Sequence, residues 1–120
     1  MANILIVDDS QTQIANLTKI LEPAGHTITT APNGEEGVAK AAAEHPDLVL
    51  MDVVMPGLNG FQATRKLTRD PATEHIPVIL VSTKDQETDR IWGMRQGAKG
   101  YLVKPPDAGE LLGLIDEILG

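Results

Sequence analysis

The sequence predicts an α/β fold: one domain built on a parallel sheet with helices covering both faces. Three observations carry that prediction. The runs Ile4–Val7, Leu48–Met51 and Pro77–Val81 contain no polar residue, as expected of strands buried on both faces. Longer amphipathic stretches with a helical spacing of apolar residues separate them. Strand and helix alternate five times, and strands spaced by helices of this length form parallel sheets. Right-handed crossovers leave few topologies open.

Each element has a local reason. After the first apolar run, Ser10 is placed to cap a helix whose apolar positions are Ile14, Leu17, Ile20 and Leu21, and Pro23 and Gly25 end it. Thr27–Ala31 alternates and reads as a less buried strand. Asn33-Gly34 opens an Ala-rich helix that runs to about Glu44 and stops before Pro46. Leu48–Met51 is the third strand, followed by a helix from about Asn59 to Arg69. After the fourth strand, Pro77–Val81, a helix is expected over Asp85–Gln96, closed by Gly97. Tyr101–Val103 is a short last strand. The final helix spans Ala108–Leu119, with Leu111, Leu112, Ile115, Ile118 and Leu119 along one side.

The composition excludes several classes. A chain of 120 residues can bury a core without staples, and 42% hydrophobic with 22% charged residues is ordinary for a globular protein. The absence of cysteine excludes disulfides and thiolate metal sites and fits a reducing compartment. MANILIVDDS has no basic n-region, and no apolar stretch approaches membrane-spanning length, so a cytoplasmic protein without membrane insertion is expected. A net charge of −7 with scattered cations argues against nucleic-acid binding. No linker or repeat interrupts the pattern and nothing follows the last helix, so the expectation is a single-domain monomer, residues 1–120, without a further domain.

The polar residues at the strand ends carry the functional signal. Asp8 and Asp9 follow the first apolar run, Asp52 the third strand, Ser82 and Thr83 the fourth, and Lys104 the fifth. In a parallel sheet these positions converge on one edge, where ligands of open α/β sheets bind. Three adjacent carboxylates raise one another's pKa, and a divalent cation relieves that repulsion. Mg²⁺ suits an oxygen-only set that shares the ion with water and phosphate. A lysine and a hydroxyl could then neutralise phosphoryl oxygens, with one carboxylate as nucleophile. Each residue alone has a plainer reading: Asp8, Asp9, Ser10 or Ser82 as a helix cap, Lys104 as a solvated loop charge. The combination at four strand ends is what points to phosphoryl chemistry.

The segments ILIVDDS, DLVLMDVVMPGLNG, IPVILVST and GYLVKP, with their spacing, resemble the receiver domains of two-component response regulators, the CheY-like group, over essentially the whole chain. The resemblance implies a flavodoxin-like three-layer sandwich, with a five-stranded sheet of order 2-1-3-4-5 and five helices. It implies that Asp52 is the phosphoacceptor. Asp8, Asp9, Asp52 and the backbone carbonyl of Val54 would hold Mg²⁺, Asp9 directly and Asp8 through water. Lys104 would contact the phosphoryl group. Ser82 would swing toward it and Tyr101 would turn inward, with Thr83 in the same switch loop. The Lys104–Pro105 bond would be cis. It further implies a histidine kinase, CheA-like or hybrid, as phosphodonor, a separate output protein as partner, and no turnover beyond the receiver's own phosphorylation and dephosphorylation. Within the family, LMDVVMPGLNGFQATRKLTRD and STKDQETDRIWGMRQGA are most similar to single-domain regulators of twitching motility, the PilH-like group.

Some positions are individual. Val54 offers no polar atom to orient water, so slow phosphate loss is expected, and Lys84 lies two residues after Ser82 at another position that tunes hydrolysis. Trp92 reads as half-buried packing or a partner anchor. His26, His45 and His75 lack ligand spacing and fall in expected surface turns, while Met51 and Met55 read as packing. A non-phosphorylated adaptor or phosphate sink stays open as an alternative. An aspartyl phosphatase would want an acid two residues after Asp52, where Val54 stands. A flavodoxin would need stacking aromatics, which make up 2% of this chain.

Overall fold

A computed structural model describes Met1–Gly120. Its elements are β1 (Asn3–Val7), α1 (Gln11–Leu21), β2 (Thr27–Ala31), α2 (Gly34–Glu44), β3 (Leu48–Met51), α3 (Gly60–Arg69), β4 (Val78–Ser82), α4 (Glu87–Arg95), β5 (Gly100–Val103) and α5 (Ala108–Leu119). The five strands form one sheet in the order β2-β1-β3-β4-β5, and every pairing is parallel. This is the order expected.

Successive side chains of a strand point to opposite faces, and the core divides accordingly. Leu5, Val7, Val49, Met51 and Leu80 pack with Ala41 of α2 and Ala63 and Leu67 of α3. Ile4, Ile6, Leu48, Leu50 and Ile79 pack on the other face with Ile14, Leu17 and Leu21 of α1 and Leu111 and Ile115 of α5. The central strands are apolar throughout because both of their faces are covered. The edge strand β2 buries only Ala31 fully, which is why its sequence alternates.

The helix starts follow side-chain caps. Ser10, Asn33 and Asp107 each accept a backbone N–H at the third position of the helix they precede, and Asn59 with Gln62 forms a reciprocal capping box. The bounds of β4 and α4 differ from expectation, and β5 starts one residue earlier, at Gly100. β4 starts at Val78 and runs through Ser82, since Pro77 has no N–H to give. α4 starts at Glu87 rather than Asp85, behind a Gln86–Asp89 capping box, and ends at Arg95. Lys84 and Asp85 are therefore loop residues. Leu119, grouped with the apolar side of α5, is exposed because the sheet ends before the helix does.

α4 is the least embedded helix. Gly93 is its one buried residue, and Ile91, Trp92 and Met94 are 45–49% exposed. A Cβ at Gly93 would strike Leu80 and crowd the Tyr101 ring, so the helix rests on the sheet through its own backbone.

Candidate functional site

The register of the sheet assembles the site. Val7 of β1 pairs with Met51 of β3, so the residues that follow, Asp8 and Asp52, stand side by side, and the Asp52 N–H donates to the Val7 carbonyl at 2.9 Å. On the other side, Ser82 of β4 pairs with Val103 of β5, and the Lys104 N–H donates to the Ser82 carbonyl at 2.8 Å. Asp8, Asp9, Asp52, Ser82 and Lys104 thus meet at the carboxyl edge, as expected. Gly60 lets α3 begin directly against this edge: a Cβ there would collide with the Asp52 carbonyl oxygen.

Asp8 and Asp52 are almost fully buried and Asp9 is exposed. The Lys104 ammonium bridges the buried pair, donating to Asp8 Oδ2 at 2.7 Å and to Asp52 Oδ1 at 3.1 Å. The Ser10 N–H donates to Asp8 Oδ1 at 2.9 Å, so both Asp8 oxygens are engaged. Asp52 Oδ1 also accepts the Val53 N–H at 3.0 Å, whereas Asp52 Oδ2 has no protein donor. Burial, and next the Asp8 charge, push the Asp52 carboxyl up to about 6, against the opposing pull of Lys104 and the Val53 N–H. One lysine does not neutralise three carboxylates.

That deficit matches a divalent cation. One oxygen from each of Asp8, Asp9 and Asp52 lies within 4.8 Å of the others. Oxygens on opposite sides of a Mg²⁺ ion are about 4.2 Å apart, so the cluster is the right size for such an ion after small rotations or with one water between. Val54, whose carbonyl was assigned to the ion, follows in the β3–α3 loop with its side chain 55% exposed.

Ser82 and Tyr101, expected to act as a switch, are tied to one point that the sequence did not suggest. The Lys84 N–H donates to Ser82 Oγ at 3.1 Å, and the Tyr101 hydroxyl donates to the Lys84 carbonyl at 2.7 Å. Ser82 therefore does not cap α4; it closes a short turn onto Lys84, a pattern Ser often makes two residues on. Tyr101 lies inward and only 4% exposed, with burial raising its phenol pKa. Arg90 holds it from α4, with its guanidinium 5.4 Å from the ring centre and one N–H on the Tyr101 carbonyl at 3.0 Å. Thr83 is exposed and joins neither contact. The Lys104–Pro105 bond is cis.

The sequence pattern of the response regulator receiver domain matches residues 4–116. The chain belongs to this family. The receiver is 61% identical over 119 residues to Protein PilH of Pseudomonas aeruginosa, covering 99% of this chain and 98% of that one. It is 43% identical over 106 residues to Response regulator PleD of Caulobacter vibrioides, covering 88% of this chain and 23% of PleD. Among solved structures, a response regulator of Chloroflexus aurantiacus superimposes with a TM-score of 0.94 at 30% identity, covering 98% of this receiver and 97% of that chain. A Borrelia burgdorferi structure, the CheX–CheY–BeF₃–Mg complex, has a TM-score of 0.91 at 30% identity, covering 98% and 89%. Receiver domains of two-component systems bind Mg²⁺ through an aspartate cluster, and Asp8, Asp9 and Asp52 form such a group. No helix of the receiver is long and apolar enough to cross a membrane.

Proposed function

We propose that Asp52 accepts a phosphoryl group from a phosphohistidine of a CheA-like or hybrid kinase, and that the resulting change is read by a separate output protein. The observation that carries this reading is the Asp8–Asp9–Asp52 cluster with Lys104 bonded to two of its members. Asp52 Oδ2, the oxygen without a protein donor, attacks phosphorus. The phosphorus–nitrogen bond breaks, and the imidazole leaves with the bonding electrons. Mg²⁺, held by Asp9, Asp52 and the Val54 carbonyl with Asp8 behind water, would screen the charge between carboxylate and phosphoryl oxygens. Lys104 stays at Asp52 Oδ1 and turns a free N–H to the phosphoryl group, since an ammonium has three donors. Water later cleaves the acyl phosphate, and exposed apolar Val54 makes that step slow. The receiver assists both reactions on itself and turns over no other substrate.

The new dianion carries roughly −2 charge and recruits the Ser82 hydroxyl, which is two residues away from the Tyr101 anchor at Lys84. The Tyr101 ring lies beside Gly93 of α4, where an added Cβ would come within 3.3 Å of it, so a shift of the Ser82–Lys84 loop can reach the helix that exposes Ile91, Trp92 and Met94. Likeness to PilH supports control of twitching motility as the setting, in the cytoplasm.

Incubation with Mg²⁺ and acetyl phosphate or beryllofluoride tests the reading, followed by intact mass and Trp92 fluorescence. One phosphoryl adduct on the wild type and none on Asp52→Ala is expected. No adduct on the wild type, or the same adduct on Asp52→Ala, refutes it.

A further inference from the structure

The largest groove of the molecule lies at the opposite, amino edge of the sheet, about 670 Å³ in volume, between the α2–β3 and α3–β4 connections and α5. Two imidazoles stand on its wall. His45 and His75 are 30 residues apart in sequence, yet their ring centres are 5.9 Å apart with planes inclined by 22°. Both side chains are exposed. The carboxylates of Asp47 and Glu117 line the same groove, and Lys99 is the single ammonium on it.

We propose that this groove binds a divalent transition metal, Zn²⁺ or a close analogue, through His45 and His75. With metal–nitrogen bonds of about 2.0–2.1 Å, two imidazoles on one ion have centres roughly 5–6.5 Å apart; the 5.9 Å of this pair falls in that interval, and because the rings are stacked they must turn about their side-chain bonds to aim one nitrogen each at the ion. Imidazole is a ligand that favours zinc, copper and nickel over the hard cations suited to the aspartate cluster. Asp47 gives one oxygen to the Asn3 N–H at 2.8 Å and keeps the other; Glu117 makes no ion pair or hydrogen bond. As placed, neither carboxylate lies close enough to both imidazoles to share the ion, so water completes the set.

Both histidines sit on fixed supports. His45 ends α2 with its N–H on the Ala41 carbonyl, and the Asp47 N–H donates to the Asn3 carbonyl at 2.8 Å. The turn before His75 is held by the buried Thr73 hydroxyl, which donates to the Leu67 carbonyl at 2.7 Å. The backbone at His45 is left-handed, with φ 48°, a conformation that His, like Asn, adopts more readily than most residues, at a helix end where such a cap is common. The site lies at the far end of β3 from Asp52, so it is separate from the phosphoacceptor.

Zn²⁺ titration of the full chain, read by the imidazole ¹⁵N–¹H resonances, tests the proposal and is blind to ions held by carboxylates alone. His45 and His75 are expected to shift together with one stoichiometric ion. His26 serves as the internal control, because its Nδ1 accepts the Ala2 N–H at 3.2 Å elsewhere on the molecule. Loss of mere outer-shell partners weakens metal sites by about 10–100-fold, so removing a direct ligand is expected to cost at least about tenfold. His45→Asn, which keeps a residue tolerant of the left-handed backbone, and His75→Gln should each abolish the response of the remaining partner at the concentrations that saturate the wild type. Unmoved His45 and His75 resonances would overturn the proposal. So would either histidine responding with unchanged affinity when the other is replaced.

Discussion

Asp52→Asn is expected to make the receiver more stable at neutral pH, although it removes the proposed phosphoacceptor. The folded carboxyl titrates at about 6 against an ordinary value of 3.8. Below the ordinary value both folded and unfolded chains are protonated and the shift costs nothing. Between the two values the unfolded chain gives up its proton while the folded one keeps it, so stability falls as pH rises. Above about 6 both forms are ionised and the cost is fully present. At 1.36 kcal/mol per pKa unit, and allowing for solvent on the Asp9 side, the penalty is on the order of 2–3 kcal/mol. For a domain of this size that is roughly 8–12 °C in Tm. Asparagine can still accept the Val53 N–H, and Lys104 keeps Asp8 at 2.7 Å, so no buried charge is orphaned. Thermal and urea unfolding without divalent ions, from about pH 4 to about pH 8, should show a gap between variant and wild type that opens across this window. Mg²⁺ should narrow it by binding the ionised wild type. A wild type as stable as Asp52→Asn at the alkaline end, or a gap independent of pH, would refute the assignment of a destabilised Asp52 carboxylate.

Lys104→Met strips the cation from two buried carboxylates and should cost roughly 3–5 kcal/mol in urea unfolding at neutral pH, with part of the loss recovered by acid or Mg²⁺. Gly60→Ala forces a methyl group into the Asp52 carbonyl and should cost roughly 2–4 kcal/mol, with the largest amide shifts at Asp52 and Val53. Tyr101→Phe removes the bond to the Lys84 carbonyl; about 1 kcal/mol of stability should go with it, and the Lys84 amide should exchange faster with solvent.

The fold was legible because its signals are local. Ile4–Val7 and Leu48–Met51 could only be central strands, and Ser10, Asn33 and Asn59 mark helix starts by caps that are visible in sequence. The convergence of Asp8, Asp52, Ser82 and Lys104 followed from parallel strands alone. What the sequence missed depends on contacts between distant segments. Lys104 finds Asp8 and Asp52 across 96 and 52 residues, and no spacing rule predicts which carboxylate it chooses. The start of α4 was misplaced for a related reason: Lys84 is held by Ser82 and by Tyr101, so Asp85 and Gln86 are spent on the exit from that turn. The His45–His75 pair is likewise invisible until two loops are folded side by side.

The contacts at Lys84 set the size of the proposed switch. In the present arrangement Ser82 accepts the Lys84 N–H and Tyr101 donates to the Lys84 carbonyl, two neutral hydrogen bonds worth about 0.5–1.5 kcal/mol each. A phosphoryl dianion on Asp52 offers the Ser82 hydroxyl a charge-assisted bond worth about 1.5–3 kcal/mol. The two sides are close in energy, so one covalent charge suffices to reverse the balance, and its hydrolysis suffices to restore it. The bond at Lys84 also accounts for the inward position of Tyr101. Its hydroxyl needs only the Lys84 carbonyl, and Arg90 secures the ring from α4. In the proposed switch Tyr101 therefore reports the position of the Ser82–Lys84 loop, not its own burial. In that switch α4 would receive the displacement through the Tyr101 ring, which lies beside Gly93, the one buried residue of the helix.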